Sequence, residues 1–169
     1  TIERLERASS SANYHRCALQ NLQAWASAAA KPAKPAKTEL YILRGDWGEV
    51  TLEMTKRYGK IFATLNMANA YGPGGGYTEG MPAQEENMFR RTDCHFSLDR
   101  KQLDRHMLYL PAATSLINGE SGRVYLDTTC PRVCIRGPED RDVSDLGYRL
   151  LSEEEVFLFF ELRSAARDL

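Results

Sequence analysis

Apolar residues recur at Ile2, Leu5, Ala12, Leu19, Leu22 and Ala26, near one helical face and separated by good helix formers, so residues 2–30 predict one or two helices. Lys31–Lys37 (KPAKPAK) follows, and its prolines lack backbone donors, which predicts an exposed, extended connector. Thr38–Arg44 (TELYILR) reads as a strand. Asp46 stands at an N-cap position before WGEVTLEMTKRY, whose Val50, Leu52, Met54 and Tyr58 form an apolar face. Lys56 and Arg57 sit in that helix's last turn and Gly59 follows as a stop. Ile61–Met67 reads as a buried strand, which completes a β-α-β unit and places ligands at the carboxyl ends of parallel strands.

Beyond a glycine-rich stretch, Gln84–Arg91 predicts a helix. The alternation in Leu108–Leu116 and Val124–Leu126 suits short strands, and Pro131–Arg136 reads as another, closed by Gly137 and Pro138. Glu139–Asp145 reads as an exposed, solvated acidic loop. Ser152 and Glu155 make a capping box ahead of Val156, Phe157, Phe159, Phe160 and Leu162, which predicts a closing helix with a broad apolar band. The organisation expected is a helical extension over 1–30, a linker over 31–37 and an α/β core over 38–169.

A chain of 169 residues suits one compact domain. Its 22 Lys and Arg against 23 Asp and Glu leave a formal charge of -1, so no global basic field draws it to nucleic acid or an anionic membrane. No apolar run approaches the length needed to cross a bilayer, and the N-terminus carries no secretory h-region. Cys17, Cys94, Cys130 and Cys134 lack metal-ligand spacing and read as reduced thiols, which favours the cytoplasm or nucleus. His15, His95 and His106 read as structural or surface groups, and Trp25 and Trp47 as core anchors.

The chemistry concentrates in Asn66–Thr92, NMANAYGPGGGYTEGMPAQEENMFRRT. Gly74, Gly75 and Gly76 can present backbone N–H groups to phosphate oxygens, although glycines alone equally describe an ordinary turn. The spacing is neither a Walker A loop nor a dinucleotide fingerprint. Glu85 and Glu86 at a helix start have a plain role in facing the helix dipole. Buried beside a ligand, the same pair would have one pKa raised, so that a carboxyl protonates a leaving atom at an anomeric carbon while its neighbour holds sugar hydroxyls.

The whole string, GGG, then seven residues, then QEE, preceded by LNMANA and followed by NMFRRT, resembles the signature of poly(ADP-ribose) glycohydrolases and related macrodomain hydrolases. The resemblance implies a macrodomain-like three-layer α/β/α fold with a mixed sheet, incomplete at the C-terminus because no second glycine-rich loop follows. It implies Glu86 as general acid/base, Glu85 fixing ribose hydroxyls, Gly74, Gly75 and Gly76 flanking a diphosphate, and Asn66 and Asn69 helping to hold the ribose. Gln84 would set loop geometry and Tyr77 would pack on the ligand. The substrate implied is an ADP-ribosylated protein or poly(ADP-ribose), with ADP-ribose as product and no cofactor or metal. A C-terminal segment or a second chain would complete the fold. NMANAYGPGGGY and QEENMFRRTDCHFS are also similar to arginine-directed hydrolases found in bacterial effectors, which would place the chain in a host cytosol. A non-catalytic ADP-ribose reader is the alternative, and it would have no need for both acids.

Overall fold

The computed structural model describes residues 12–29, 38–140, 142 and 147–166. The expected helix start around Ile2 and Leu5, the Lys31–Lys37 connector, most of the acidic loop after Asp140 and the last three residues lie outside the described residues.

The protein is a mixed α/β structure organised on one strand, β6 (Phe157–Ser164). On one side β6 pairs in parallel with β1 (Phe62–Met67), from Phe62 opposite Phe159 to Met67 opposite Ser164. On the other side it pairs antiparallel with β3 (Arg132–Cys134) near its start and with β2 (Tyr125–Leu126) near its end. A separate antiparallel ribbon joins β4 (Arg136–Glu139) to β5 (Tyr148–Leu150). Helix α1 (Ala12–Ala28) packs on β6 and on α2 (Trp47–Tyr58), inserting Cys17 and Ala18 into the core. Helix α3 (Gln84–Arg91) lies against β1 and β4, and buries Met88 and Phe89 among Val133, Ile135 and Phe157–Phe159. Helix α4 (Pro111–Ile117) closes a smaller cluster with Ala68 and Tyr109.

Where local chemistry is explicit, the elements form as the residues demand. Asp46 Oδ1 accepts the Gly48 and Glu49 N–H groups, and Gly59, at a φ of 58°, ends α2 in the left-handed conformation that favours glycine. Asp46 also receives both terminal nitrogens of buried Arg91 at 2.8 Å, and that guanidinium stacks 4.6 Å from the Trp47 ring centroid. The start of α2 is thus tied to the end of α3. Burial pushes the Asp46 carboxyl upward, but Arg91 outweighs it and holds the group below its ordinary range.

Four expectations fail for identifiable reasons. Residues 38–44 are not a strand: Leu40 is 89% and Ile42 93% exposed, and the parallel neighbour of β1 is β6, so the expected β-α-β unit is not formed by this segment. Within 108–116, Pro111 starts a helix, because its missing N–H costs nothing at a first helical turn. The expected closing helix is β6 itself. Its capping box is half real, since Ser152 N–H donates to Glu155 Oε2 at 3.0 Å, yet the bond closes only a turn. The apolar run that follows is covered on both faces, and such a run carries no period that separates strand from helix. Likewise Gly137 and Pro138 do not close a strand but lie inside β4, where the register with β5 is irregular.

The strand alternation shows instead in Glu161 and Arg163, two apart and on the same face, both buried. Glu161 accepts from Arg163 Nε and Nη2 at 2.8 Å, from Asn66 Nδ2 at 2.8 Å and from Arg132 Nε at 3.3 Å. Arg163 Nη1 donates to the Tyr109 hydroxyl at 3.1 Å. Burial pushes Glu161 upward, but the charge and hydrogen bonds of Arg163, with Asn66 and Arg132, leave it lowered. Removing one member of such a cluster strands the others without compensation, so Glu161→Ala is expected to cost about 3–5 kcal/mol in urea unfolding. A loss below about 1 kcal/mol would show that the cluster does not hold the sheet together.

Candidate active site

The site forms at the carboxyl end of β1, where chain direction, loop and helix start converge. Ala68 N–H reaches Ser164 O on the β6 side at 3.1 Å. On the opposite edge, Met67 N–H donates to Gln84 Oε1 and Gln84 Nε2 donates to Leu65 O, both at 2.8 Å. The Gln84 amide therefore occupies the strand edge as a neighbouring backbone would, and fixes the first turn of α3 against β1.

Asn69 then turns the chain. Its Oδ1 accepts the Tyr71 and Gly72 N–H groups at 2.8 and 3.0 Å, and its own N–H donates to Glu85 Oε2 at 2.7 Å. Gly74 N–H donates to Glu85 Oε1 at 2.9 Å, and Gly76 N–H to Glu86 Oε1 at 3.1 Å. Gly74 and Gly75 have φ of 81° and 51°, and a Cβ at Gly75 would overlap Glu86 Oε1. Glycine is required there by the backbone and by the carboxylate together. Arg90 anchors the far side of the loop, with Nε donating to Tyr77 O at 3.0 Å and Nη2 to Met81 O at 2.8 Å.

The structure thus brings Asn69, Gly74, Gly75, Gly76, Gln84, Glu85 and Glu86 into one constellation. Asn66 stands apart from its surface: it is fully buried and donates inward to Glu161. Tyr77 is half-buried, its ring 5.3 Å from that of Phe89 and its hydroxyl on His95. Arg90, Glu161 and Arg163 were not singled out from the sequence, and His95 was read there as a structural or surface group. Only the alternation of opposite charges at Glu161 and Arg163 within an apolar run could have signalled a buried pair on a strand.

The two carboxylates differ. Glu85 is 3% exposed and uses both oxygens on backbone N–H groups, whereas Glu86 is 9% exposed and uses Oε1. Burial pushes the Glu85 carboxyl up to about 7, against the pull of the Asn69 and Gly74 N–H groups; nearby Glu86 adds to the rise and Arg163 opposes it. Neither the cavity of about 300 Å³ beside Gly48, Leu52, Arg136 and Phe157 nor that of about 350 Å³ beside Leu116 and Tyr125 is lined by these residues. Of the three loop glycines, Gly74 is buried, Gly75 exposed and Gly76 half-buried.

A carboxyl raised from its ordinary 4.5 to about 7 binds its proton more tightly in the folded state. Its favourable contribution is full below 4.5 and is lost as pH rises through about 7. Replacing the group by Glu85→Gln should remove this dependence. The stability difference between wild type and variant, from urea melts at pH 4 and pH 8, is expected to change by about 3 kcal/mol. A difference flat with pH would contradict the assignment.

Residues 3–112, more than half of the chain, match the family described as microbial-type PARG, catalytic domain. Among solved structures, the poly(ADP-ribose) glycohydrolase from Thermomonospora curvata is similar at 24% identity and a TM-score of 0.53, over 98% of this chain and 61% of that one. Its complex with the inhibitor ADP-HPD is similar at 22% identity and a TM-score of 0.50, over 98% and 59%. These likenesses are ones of fold, and the chain spans about three-fifths of the length of those structures. No curated protein matches the chain. The glycine loop, the carboxylate pair and the strand beneath them all fall within the matched segment, and the chain belongs to the microbial-type poly(ADP-ribose) glycohydrolase catalytic-domain family.

Proposed function

We propose that the chain is an ADP-ribosyl glycohydrolase that removes ADP-ribose from ADP-ribosylated proteins or from poly(ADP-ribose). The observation that carries this reading is the buried Glu85–Glu86 pair bonded to the N–H groups of Gly74 and Gly76. In this reading Glu86, the more open of the two, gives its proton to the leaving oxygen or nitrogen as the bond to the anomeric carbon breaks. A water then attacks that carbon and returns a proton to Glu86. Glu85 meets the ribose hydroxyls beside Asn69, and the loop flanks the diphosphate with Tyr77 behind it. The raised pKa of Glu85 would suit a proton donor, but its oxygens are both engaged by backbone N–H groups, which favours Glu86 for that role.

The finer reading is a macrodomain-like three-layer α/β/α fold whose sheet is extended by a further C-terminal segment or a second chain. Exposed Leu65 and Met67 on β1 offer apolar surface for such a segment. In the same reading the chain is organised as an N-terminal helical extension over 1–30, a Lys/Pro linker over 31–37 and an α/β core over 38–169. Both poly(ADP-ribose) and mono-ADP-ribosyl protein are substrates within this reading, the arginine-linked form being the one that the flanking motif's similarity to the effector-type branch adds. The reduced cysteine usage favours the cytoplasm or nucleus for this activity, or a host cytosol if the chain is an effector.

Release of free ADP-ribose from poly(ADP-ribose), arginine-modified protein and serine-modified protein tests the reading. Glu86→Gln is expected to slow release by about 10²–10⁴-fold while retaining ADP-ribose binding by calorimetry. A wild-type chain that binds ADP-ribose yet releases none from any substrate would make it a reader.

A further inference from the structure

We infer that His95 is a positioning residue for the glycine loop, acting through the Tyr77 hydroxyl to fix the ring on which Gly74 rests. The inference rests on the proposed function for its effect on ligand binding, and on geometry alone for its effect on the loop.

Tyr77 Oη lies 2.5 Å from His95 Nδ1, and the two rings are 5.8 Å apart. The Tyr77 ring and Phe89 form the surface beneath Gly74: a Cβ added there would stand 2.8 Å from Tyr77 Cδ1 and 2.7 Å from Phe89 Cδ1. The height of Gly74 over α3 is therefore set by that ring, and Gly74 N–H is one of the donors that hold Glu85. A shift of the ring reaches the carboxylate through one residue.

His95 is itself rigidly mounted. It sits in the 3₁₀ turn Cys94–Ser97, where Cys94 is buried with its N–H on Thr92 Oγ1 at 3.2 Å, and Phe96 packs edge-on against the imidazole at 5.0 Å. Asp93 ties the turn to β3, since Val133 N–H donates to Asp93 Oδ1 at 2.8 Å and Asp93 N–H to Val133 O at 3.2 Å. Arg90 restrains only the carbonyls of Tyr77 and Met81. The hydroxyl contact adds what Arg90 lacks, a fixed position for the ring itself. Burial pushes the Tyr77 hydroxyl upward, so it keeps its proton and remains a hydrogen-bonding partner.

The test compares wild type with Tyr77→Phe, which keeps the ring, with His95→Leu, with the double variant, and with His95→Asn, whose amide oxygen can stand near the Nδ1 position. ADP-ribose affinity is measured by calorimetry and exchange of the Gly74 and Gly76 amides by NMR. Each single variant is expected to weaken binding about tenfold, the double no further, and His95→Asn to recover most of the loss. Tyr77→Phe within twofold of wild type, or losses that multiply in the double variant, would overturn the inference. Tyr77→Phe carries the test alone if His95→Leu fails to fold. If wild type binds no ADP-ribose, the proposed function fails, and amide exchange decides: faster exchange at Gly74 and Gly76 in Tyr77→Phe upholds the positioning role, and unchanged exchange removes it.

Discussion

The buried charge cluster on β6 is the constraint on which the rest of the structure depends. An isolated Glu161 at 2% exposure would be too costly to leave ionised, and Arg163 alone no less so. Held together, they need hydrogen bonds to every remaining polar atom, and the fold supplies these from several directions. Asn66 comes from β1, Arg132 from β3 and Tyr109 from the segment ahead of α4, while the Tyr125 ring of β2 lies 4.9 Å from the Arg163 guanidinium. A one-residue slip of β6 would turn both charges to the other face and leave all four partners behind. The cluster therefore specifies the register of the sheet as well as joining its strands.

That register places the site. With Asn66 pinned inward, alternation along β1 sends the backbone of Leu65 and Met67 to the free edge, where Gln84 takes it. Gln84 in turn fixes where α3 begins, so Glu85 and Glu86 arrive beneath the loop that leaves the same strand. Each carboxylate then accepts an N–H of the glycine loop. The helix and the loop constrain one another, and β1 constrains both.

Much of this was readable where the chemistry is local. Asp46 and Gly59 bound α2 because a cap and a left-handed glycine act within a few residues, and Gln84–Arg91 carries its acidic start and basic end in plain view. β6 was not readable, because a strand covered on both faces has no polar face to mark its period, and the Ser152–Glu155 pair imitates a helix start. The cluster was not readable either: Asn66 and Glu161 are 95 residues apart, and nothing near either announces the other. The same holds for His95, whose meaning comes only from Tyr77 reaching it across 18 positions. Asn66 shows the limit most clearly, since its place on the strand end was foreseen while its inward direction depends on a partner in the last strand.

The state of the carboxylates bears on how the proposed ligand would enter. A diphosphate approaching Gly74–Gly76 meets N–H groups already given to Glu85 and Glu86, with two carboxylates close behind them. Two unneutralised anions there would repel a third, and water-exposed Gly75 offers little compensation. Burial relieves part of this conflict, because a Glu85 carboxyl near 7 carries its proton in a large share of molecules at neutral pH. Arg163 opposes that protonation from below the site. Glu85 is thus set by opposed effects, desolvation by burial against the pull of the Asn69 and Gly74 N–H groups, to which Arg163 of the cluster adds. The charge that organises the sheet also acts on the acid beneath the glycine loop.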